Sequence, residues 1–141
     1  MVRLVASWSD VSRVARSLPG TSEGEGDHRS WSVKDKVIAW ERPLRRSDLA
    51  ALGDAAPKGA ILAVRVPDLD AKDAALAELA HTCFTTPHFN GYPAVLLRIR
   101  DLGGIDREEL YDVVVEAWLT RAQKRVAKAW LAEHGVSEDD R

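Results

Sequence analysis

The chain has 141 residues, the length of one ordinary domain, and its 45% hydrophobic and 30% charged residues are typical of a globular fold. A formal net charge of −2 excludes the overall basic excess of a protein dominated by phosphate contacts, but it permits a local basic patch. The single cysteine, Cys83, excludes an internal disulfide and a thiolate cluster for zinc. No apolar run approaches the roughly 18 residues of a membrane span, so we expect a cytoplasmic protein without a membrane partner.

The first third of the chain alternates between helical and extended patterns. Apolar spacing and turn residues predict four elements in chain order: a helix over residues 7–18, an exposed polar loop over 21–27, and hairpin strands over 29–34 and 37–42. Asp35 and Lys36 are predicted to form the tight turn of the hairpin. In the returning strand, we expect Ile38 and Trp40 to share one face of the sheet.

The remaining elements follow the same two periodicities. They are, in order, a short helix over residues 47–52, a strand over 60–66, a helix over 68–80, strands over 83–86 and 94–100, and helices over 106–120 and 123–133. In the strand over residues 94–100, Val95, Leu97 and Ile99 form the apolar face. Leu69 is predicted to lie on the buried side of its helix, and Lys72 on the solvated surface.

Residues that favour helix N-termini support three of the helices. Ser7 or Ser9 can cap the first helix, and Ser47 can cap the short one. Asp106 with Glu109 three residues later is a capping-box pattern at the start of the penultimate helix.

The order of the elements indicates the fold class. Helices lie at both ends of the chain, with hairpin-joined strands and one helix between them. This order predicts a single α+β domain over residues 1–141, with a mainly antiparallel β-sheet and packed helices. Residues 138–140 form a short acidic tail at its end.

The segment that precedes the last predicted strand contains several residues that restrict or bend the backbone. Pro87 and Pro93 fix their own backbone and extend the residues before them, and the pair Asn90 and Gly91 is a turn signal. Such a segment beside a strand indicates either a demanding loop or a binding site.

Two side chains of this segment, His88 and Tyr92, are candidates for contact with a ligand. His88 is either a hydrogen-bonded loop histidine or a contact to a ligand or phosphate. Cys83, a few residues earlier, is expected to be a buried small hydrophobe rather than a reactive thiol.

Motifs for established chemistries are absent from the sequence. It has no glycine-rich phosphate loop, dinucleotide fingerprint, His-Glu-x-x-His pattern or nucleophile elbow. Four residues cluster as possible cation ligands, although without the spacing of a calcium loop: Glu23, Glu25, Asp27 and His28. A solvated loop is the simpler interpretation. We expect no metal, no cofactor and no enzymatic activity, because no nucleophile–base pair can be named.

Five tryptophans dominate the aromatic residues. Trp31, Trp40 and Trp118 lie on predicted apolar faces and are expected in the core. Trp8 and Trp130 lie nearer the chain ends, where they either cover an edge of the core or stack on a partner.

The clearest charge pattern is a set of four cations near the C-terminus: Arg121, Lys124, Arg125 and Lys128. Their spacing puts them on one helical face without an acidic residue between them. The face is either simply solvated or a stripe that binds the phosphates of nucleic acid. Arg98, which shares a strand face with Arg100, is a candidate extension of the stripe.

Several segments together resemble the MmcQ/YjbR family. The most specific is TPHFNGYPAVLLR over residues 86–98. Shorter matches are LPG at 18–20, WSV at 31–33, KVIA at 36–39, EL at 109–110, EAW at 116–118 and KR at 124–125. The resemblance spans nearly the whole chain. It implies a compact CyaY-like α+β fold and binding of DNA through a double-wing motif.

Two positions depart from the pattern of that family. The hairpin tip has Lys34, Asp35 and Lys36 where glycine is common, so Lys34 and Lys36 become candidate phosphate contacts of a wing. Ala122 and Gln123 stand where a proline is usual, which permits the two C-terminal helices to run together.

Two functional hypotheses therefore remain. The first is a small protein, a monomer or weak homodimer, that binds double-stranded DNA through the basic stripe and the hairpin lysines. The alternative is a non-catalytic module for a small molecule or protein partner, with residues 88–92 forming one wall of its pocket.

Overall fold

A computed structural model describes residues 4–99 and 104–134, so Arg100 and the acidic tail over residues 138–140 lie outside the described residues. Its elements are, in chain order, α1 (Trp8–Arg16), β1 (Thr21–Glu23), β2 (Ser30–Val33), β3 (Lys36–Glu41), α2 (Arg46–Leu52), β4 (Ala60–Arg65), α3 (Leu69–Glu78), β5 (Cys83–Phe84), β6 (Ala94–Ile99), α4 (Arg107–Leu119) and α5 (Lys124–Glu133). Short 3₁₀ turns occur at Gly53–Ala55 and Pro87–Phe89.

The strands form one sheet in the order β1-β2-β3-β4-β6-β5, and every neighbouring pair is antiparallel. This arrangement confirms the predicted single-domain α+β fold with an antiparallel sheet.

The sheet separates two hydrophobic clusters, one on the face covered by helices (the helical face) and one on the face covered by loop segments (the loop face). The helical face carries the larger cluster, in which Val95, Leu97 and Ile99 of β6 pack with apolar residues of α1, α4 and α5. The loop face carries a smaller cluster around Ala63, Leu96 and Phe89. The alternation predicted for β6 is confirmed, because its odd-numbered apolar residues belong to the first cluster and Leu96 to the second.

A β-bulge in the hairpin changes which residues of β3 are buried together. Trp31 pairs with Ala39 and Ser32 with Val37, so Ile38 is an extra residue in β3. Ile38 and Ala39 both belong to the helical-face cluster, whereas Trp40 packs against the loop-face cluster. The expectation that Ile38 and Trp40 share a face is therefore wrong, because a bulge interrupts the period of two.

The hairpin turn lies one residue earlier than the sequence predicted. Val33 pairs with Lys36, which leaves Lys34 and Asp35 as the two turn residues. Both have positive φ, 48° and 69°, as a type I′ turn requires. This turn matches the right-handed twist of the strands, whereas a turn at Asp35 and Lys36 would shift the register of the pair.

The polar segment after α1 contains an edge strand rather than only a loop. Thr21 pairs with Val33 and Glu23 with Trp31, and the Gly24 amide donates a 2.9 Å hydrogen bond to the Ser30 carbonyl. The loop predicted over residues 21–27 is therefore wrong over its first three residues. An edge strand needs only one partner and no buried side chains, so its polar sequence carries no strand signal.

Helix caps follow the prediction at two N-termini and differ at a third. The capping box at α1 joins Ser7 and Asp10, and the box at α4 joins Asp106 and Glu109. At α2 the helix begins one residue before Ser47. The Asp48 carboxylate accepts a 2.8 Å hydrogen bond from the Arg45 amide, so Asp48 rather than Ser47 caps the N-terminus of this helix.

Helix α3 partly buries Leu76, and Leu79 directly after it packs on the core too, as predicted, but the helix differs from the prediction at its first turn. Leu69 is 47% exposed, whereas Lys72 is only 5% exposed. Ala71 and Ala75 pack against the helical-face cluster together with the predicted Leu76 and Leu79, whereas Leu69 does not. Hydrophobicity alone placed Lys72 at the surface, because it does not show the hydrogen-bond acceptors that the Lys72 ammonium finds inside the protein.

The two C-terminal helices are separate. Helix α4 ends at Leu119, and Gln123 is extended, with ψ of 141°, before α5 begins. The chain turn lets Trp130 pack on Trp118, with ring centroids 5.5 Å apart. A continuous helix would carry Trp130 away from the core. Burial of this ring therefore favours a break between the helices even though this chain lacks the proline that is usual in the MmcQ/YjbR pattern at residues 122–123.

The tryptophans fill the core and its edges. Trp31 and Trp118 are fully buried, and Trp8 stacks on Trp31 at 6.2 Å. Trp8 and Trp130 are buried as well, which favours the first of the two alternatives, that they cover edges of the core. Trp40 is only partly buried, and its exposed part contributes to the second concave surface described below.

Candidate functional site

The cations of α5 line a groove whose other walls come from the end of α4 and from Pro67. Lys124, Arg125 and Lys128 form one wall of this basic groove, which has a volume of about 690 Å³. Pro67, at the end of β4, and Glu116 of α4 also border it. All three cations are exposed. Three of the four positions of the predicted stripe therefore share one concave surface.

The hairpin tip lies at the same end of the sheet as this groove. Antiparallel pairing of Ala39 with Val64 places the start of β3 beside the end of β4. A 3.2 Å hydrogen bond from Arg65 Nε to the Val37 carbonyl links the same two ends. Since Pro67 follows β4 and borders the groove, the tip residues 34–36 and the groove occupy one end of the molecule.

Arg121 belongs to this end as well. It is half-buried, directly after α4, where its amide donates a 3.0 Å hydrogen bond to the Trp118 carbonyl. The Trp118 indole in turn donates a 2.8 Å hydrogen bond to the Pro19 carbonyl, which precedes β1. Because β1 begins opposite Val33, the C-terminal end of α4 lies at the tip end of the sheet.

Arg98 does not extend the basic stripe. It pairs with Ile61, a residue of the loop-face cluster, while α5 packs on the helical face. Arg98 also lies near the end of β6 opposite to Ala94, which pairs with Arg65 at the tip end. The sheet itself therefore separates Arg98 from Lys124, Arg125 and Lys128.

A larger concave region lies over the loop face of the sheet. This loop pocket has a volume of about 900 Å³, and its walls come from residues 28–30, 40–45 and 88–92. His88 and Tyr92, the candidates from the rigid segment, both line it. The structure thus puts that segment beside a cavity.

The charged groups of the loop pocket are mostly basic. The one carboxylate among its lining residues, Glu41, lies 3.4 Å from Arg29 Nη1 and 3.9 Å from His28 Nδ1. Arg42 is buried, and its Nη2 lies 3.1 Å from Asp48 Oδ2 behind the pocket wall. Arg45 is exposed, and the ion pairs of residues 4–99 and 104–134 do not include it.

Asp48 is the buried acid that fixes the wall around Arg42. Burial opposes its ionisation, but the hydrogen bond from the Arg45 amide and the Arg42 guanidinium 3.1 Å away outweigh burial and lower the pKa of Asp48 from its usual 3.8. The carboxylate therefore joins the start of α2 to the strand end at Arg42.

Lys72 fixes the other side of the loop segment from behind. Its ammonium Nζ donates hydrogen bonds of 2.5 Å to the Phe89 carbonyl and 2.9 Å to the Tyr92 carbonyl. Burial lowers the pKa of Lys72 from its usual 10.5, as expected for an ammonium removed from water. Arg65 adds a 2.8 Å hydrogen bond from Nη2 to the Tyr92 hydroxyl.

Sequence reasoning missed most of the basic pocket wall. Arg29, Arg42 and Arg45 were not singled out, and Trp40 was assigned to the core. The available signal was the concentration of arginines around Pro43, directly after a predicted strand. Nothing in the sequence showed that this segment meets residues 88–92, which are more than forty positions later.

Two of the remaining candidates, Cys83 and Glu23, have structural roles. Cys83 is buried, and burial raises the pKa of its thiol to about 12. Glu23 pairs with Arg16 at 3.3 Å. Within residues 4–99 and 104–134, three or more histidine, cysteine or acidic side chains do not gather closely enough to hold a metal ion. In the same ranges, no helix combines the length and apolarity needed to cross a bilayer.

No protein-family model matches the chain. Among solved structures, the fold is similar to the crystal structure of Deinococcus radiodurans protein DR2400, a DUF419 domain, with a TM-score of 0.59. The two chains are 17% identical, and the match covers 95% of this chain and 91% of that one. At this identity the likeness shows the fold alone.

Sequence relatives are much more similar. Uncharacterized protein Rv2570 of Mycobacterium tuberculosis strain H37Rv is 46% identical over 134 residues, which covers 93% of this chain and all of the relative. Uncharacterized protein Mb2600 of Mycobacterium bovis matches to the same extent. The chain belongs to the same family as these mycobacterial proteins.

Proposed function

We propose that this protein is an MmcQ/YjbR-type protein that binds double-stranded DNA through the phosphate backbone. The observation that carries the proposal is the position of the basic groove and the hairpin tip at one end of the sheet. The segment over residues 86–98 and a fold shared with a DUF419 domain support the family assignment. The predicted cation set, without Arg98, then forms the DNA-facing surface.

The charges at this end suit a weak, sequence-independent contact. The groove offers Lys124, Arg125 and Lys128, and the tip offers Lys34 and Lys36, all of which are exposed. Glu116 reduces the local positive potential, and the chain carries a net charge of −2. About five phosphate contacts correspond to non-specific dissociation constants on the order of 10⁻⁴–10⁻⁶ M at physiological salt.

Binding of a labelled duplex followed by fluorescence anisotropy tests this proposal. At low salt, about 50 mM, the wild-type protein is expected to bind in the micromolar range, and Lys124→Gln combined with Lys128→Gln is expected to weaken binding at least tenfold. Lys58→Gln is the matched control, because Lys58 is exposed and precedes β4, at the opposite end of that strand from Pro67. The proposal would be refuted if the wild type did not bind the duplex, or if Lys58→Gln lost as much affinity as the double variant.

A second function is favoured by an independent observation. Residues 88–92 line the loop pocket together with Arg45 and Trp40, which agrees with the geometry of a small-molecule site. On this second proposal the protein is a non-catalytic binding module, alone or in addition to its contact with DNA. His88→Ala would then abolish the thermal shift produced by a pocket ligand, while leaving duplex binding unchanged.

A further inference from the structure

We infer that the loop pocket binds a small organic oxyanion that carries a planar ring, with Arg45 and His88 at its charged end and Trp40 and Tyr92 at its ring. The inference deepens the second proposed function, on which it rests, and it is independent of DNA binding. It adds the chemical class of the ligand and a role for each of these four side chains.

The charge of the ligand follows from which groups are already neutralised. Glu41 is shared by Arg29 and His28, and Arg42 is paired with Asp48. These contacts leave the exposed guanidinium of Arg45 as the positive charge that the wall itself does not compensate. His88 is also exposed, and its imidazole donates an N–H in either protonation state. A carboxylate or a phosphate fits this pair of donors.

The planar ring follows from the apolar part of the lining. Trp40 and Leu44 are half-buried, and Phe89 closes the floor between them and the sheet. Tyr92 keeps 39% of its surface exposed at the rim. Flat aromatic faces contact flat ligand groups over a large area at little entropic cost, so a ring is favoured over a flexible chain.

The ring-binding side of the pocket is held in place before any ligand arrives. The Phe89 and Tyr92 carbonyls accept hydrogen bonds from Lys72, and the Arg65 guanidinium lies 5.3 Å from the Tyr92 ring centroid. Arg42 lies over Phe89 at the same distance from the ring centroid, 5.3 Å. A wall fixed in this way loses little conformational entropy on binding, which favours a built site over an accidental surface hollow.

Two-dimensional ¹H–¹⁵N NMR with four matched probes tests the inference. The probes are 2-naphthoate and its neutral amide, and adenosine 5′-monophosphate and its neutral parent adenosine. The indole signal of Trp40, identified among five by Trp40→Phe, is expected to shift saturably with one or both anions at about 0.1–1 mM. Naphthoate and the nucleotide distinguish a carboxylate ligand from a phosphate ligand, and inorganic phosphate shows whether the ring is needed.

Two variants locate the charged end. Arg45→Gln and His88→Ala are each expected to weaken anion binding by about tenfold, because the first removes the positive charge beside the oxyanion and the second removes the imidazole N–H donor. Arg46→Gln is the matched control, since Arg46 directly follows Arg45 and is exposed but does not line the pocket. Arg125→Gln, in the basic groove, is expected to leave the Trp40 titration unchanged.

The possible outcomes separate the inference from the proposed function. Equal binding of the neutral probes would retain a small-molecule pocket and overturn the oxyanion assignment. No saturable shift of Trp40 with any probe at about 5 mM would overturn both the pocket function and its ligand class. Equal losses in Arg45→Gln and Arg46→Gln would overturn the role of Arg45.

Discussion

The buried ammonium of Lys72 donates a 2.9 Å hydrogen bond to the backbone carbonyl of Tyr92, twenty residues later in the chain. A second hydrogen bond from the same nitrogen reaches the Phe89 carbonyl. Through these two contacts, helix α3 holds the segment that forms one wall of the loop pocket. One lysine therefore joins the folding of α3 to the shape of a candidate binding site.

Replacing this lysine should loosen the pocket wall. Lys72→Met keeps the aliphatic stem but removes both hydrogen bonds, and we expect a loss of about 1–2 kcal/mol in the free energy of unfolding. Amide hydrogen exchange of Asn90 and Tyr92 should accelerate by more than the global loss of stability explains. Lys58→Met, at an exposed position, is the control. Unchanged exchange of Asn90 and Tyr92 in Lys72→Met would contradict the anchoring role.

The same segment depends on one glycine. Gly91 has φ of +75°, and an added Cβ would meet no atom within 4 Å. Gly91→Ala should therefore cost about 1 kcal/mol through backbone strain alone. In Gly26→Ala the added Cβ would make only an ordinary van der Waals contact, 4.0 Å from the His28 carbonyl oxygen, and Gly26 is not among the positive-φ glycines. Chemical denaturation of both variants checks this prediction, which fails if the two are equally stable.

Stability should fall in acid partly because Asp48 loses its charge. The pKa of Asp48 is lowered in the folded protein despite burial, chiefly by the Arg45 amide, so the unfolded chain binds its proton first as the pH falls. The contribution of Asp48 is fully present well above 3.8 and disappears as the pH falls through its lower folded pKa. Asp48→Asn should cost about 3 kcal/mol at neutral pH, because Arg42 loses a buried partner.

The pH profile distinguishes this charge effect from a simple packing defect. Unfolding free energies of the wild type and Asp48→Asn should converge as the pH falls below 3.8. Asp54→Asn, at an exposed position, should follow the wild-type profile throughout. A difference between wild type and Asp48→Asn that stays constant into strong acid would rule out ionisation as the cause.

Periodicity predicted the core of the fold because most strands and helices bury one regular face. The alternation from Val95 to Ile99 and the capping pair Asp106 and Glu109 both appear as expected. The exceptions have local causes. The bulge at Ile38 breaks the period of two, and the edge strand at Thr21 needs only a backbone partner.

The candidate site was less predictable because its residues meet only through tertiary structure. The hydrophobic pattern of α3 placed Lys72 at the surface, since the pattern does not show the carbonyl groups that satisfy a buried ammonium. Arg45 lies in a segment with little regular pattern, yet it faces the same cavity as His88. Arg98 had the right charge but lies on the other face of the sheet.

The salt dependence of duplex binding tests the central claim most directly. For contacts from Lys34, Lys36, Lys124, Arg125 and Lys128, log affinity should fall with log salt at a slope of about −4 to −5. Lys124→Gln with Lys128→Gln should reduce the steepness by about 2, because each lost phosphate contact removes about 0.9 from the slope. Lys58→Gln should leave the slope unchanged. A slope near zero for the wild type, or an identical slope in the double variant, would contradict DNA binding at this end of the molecule.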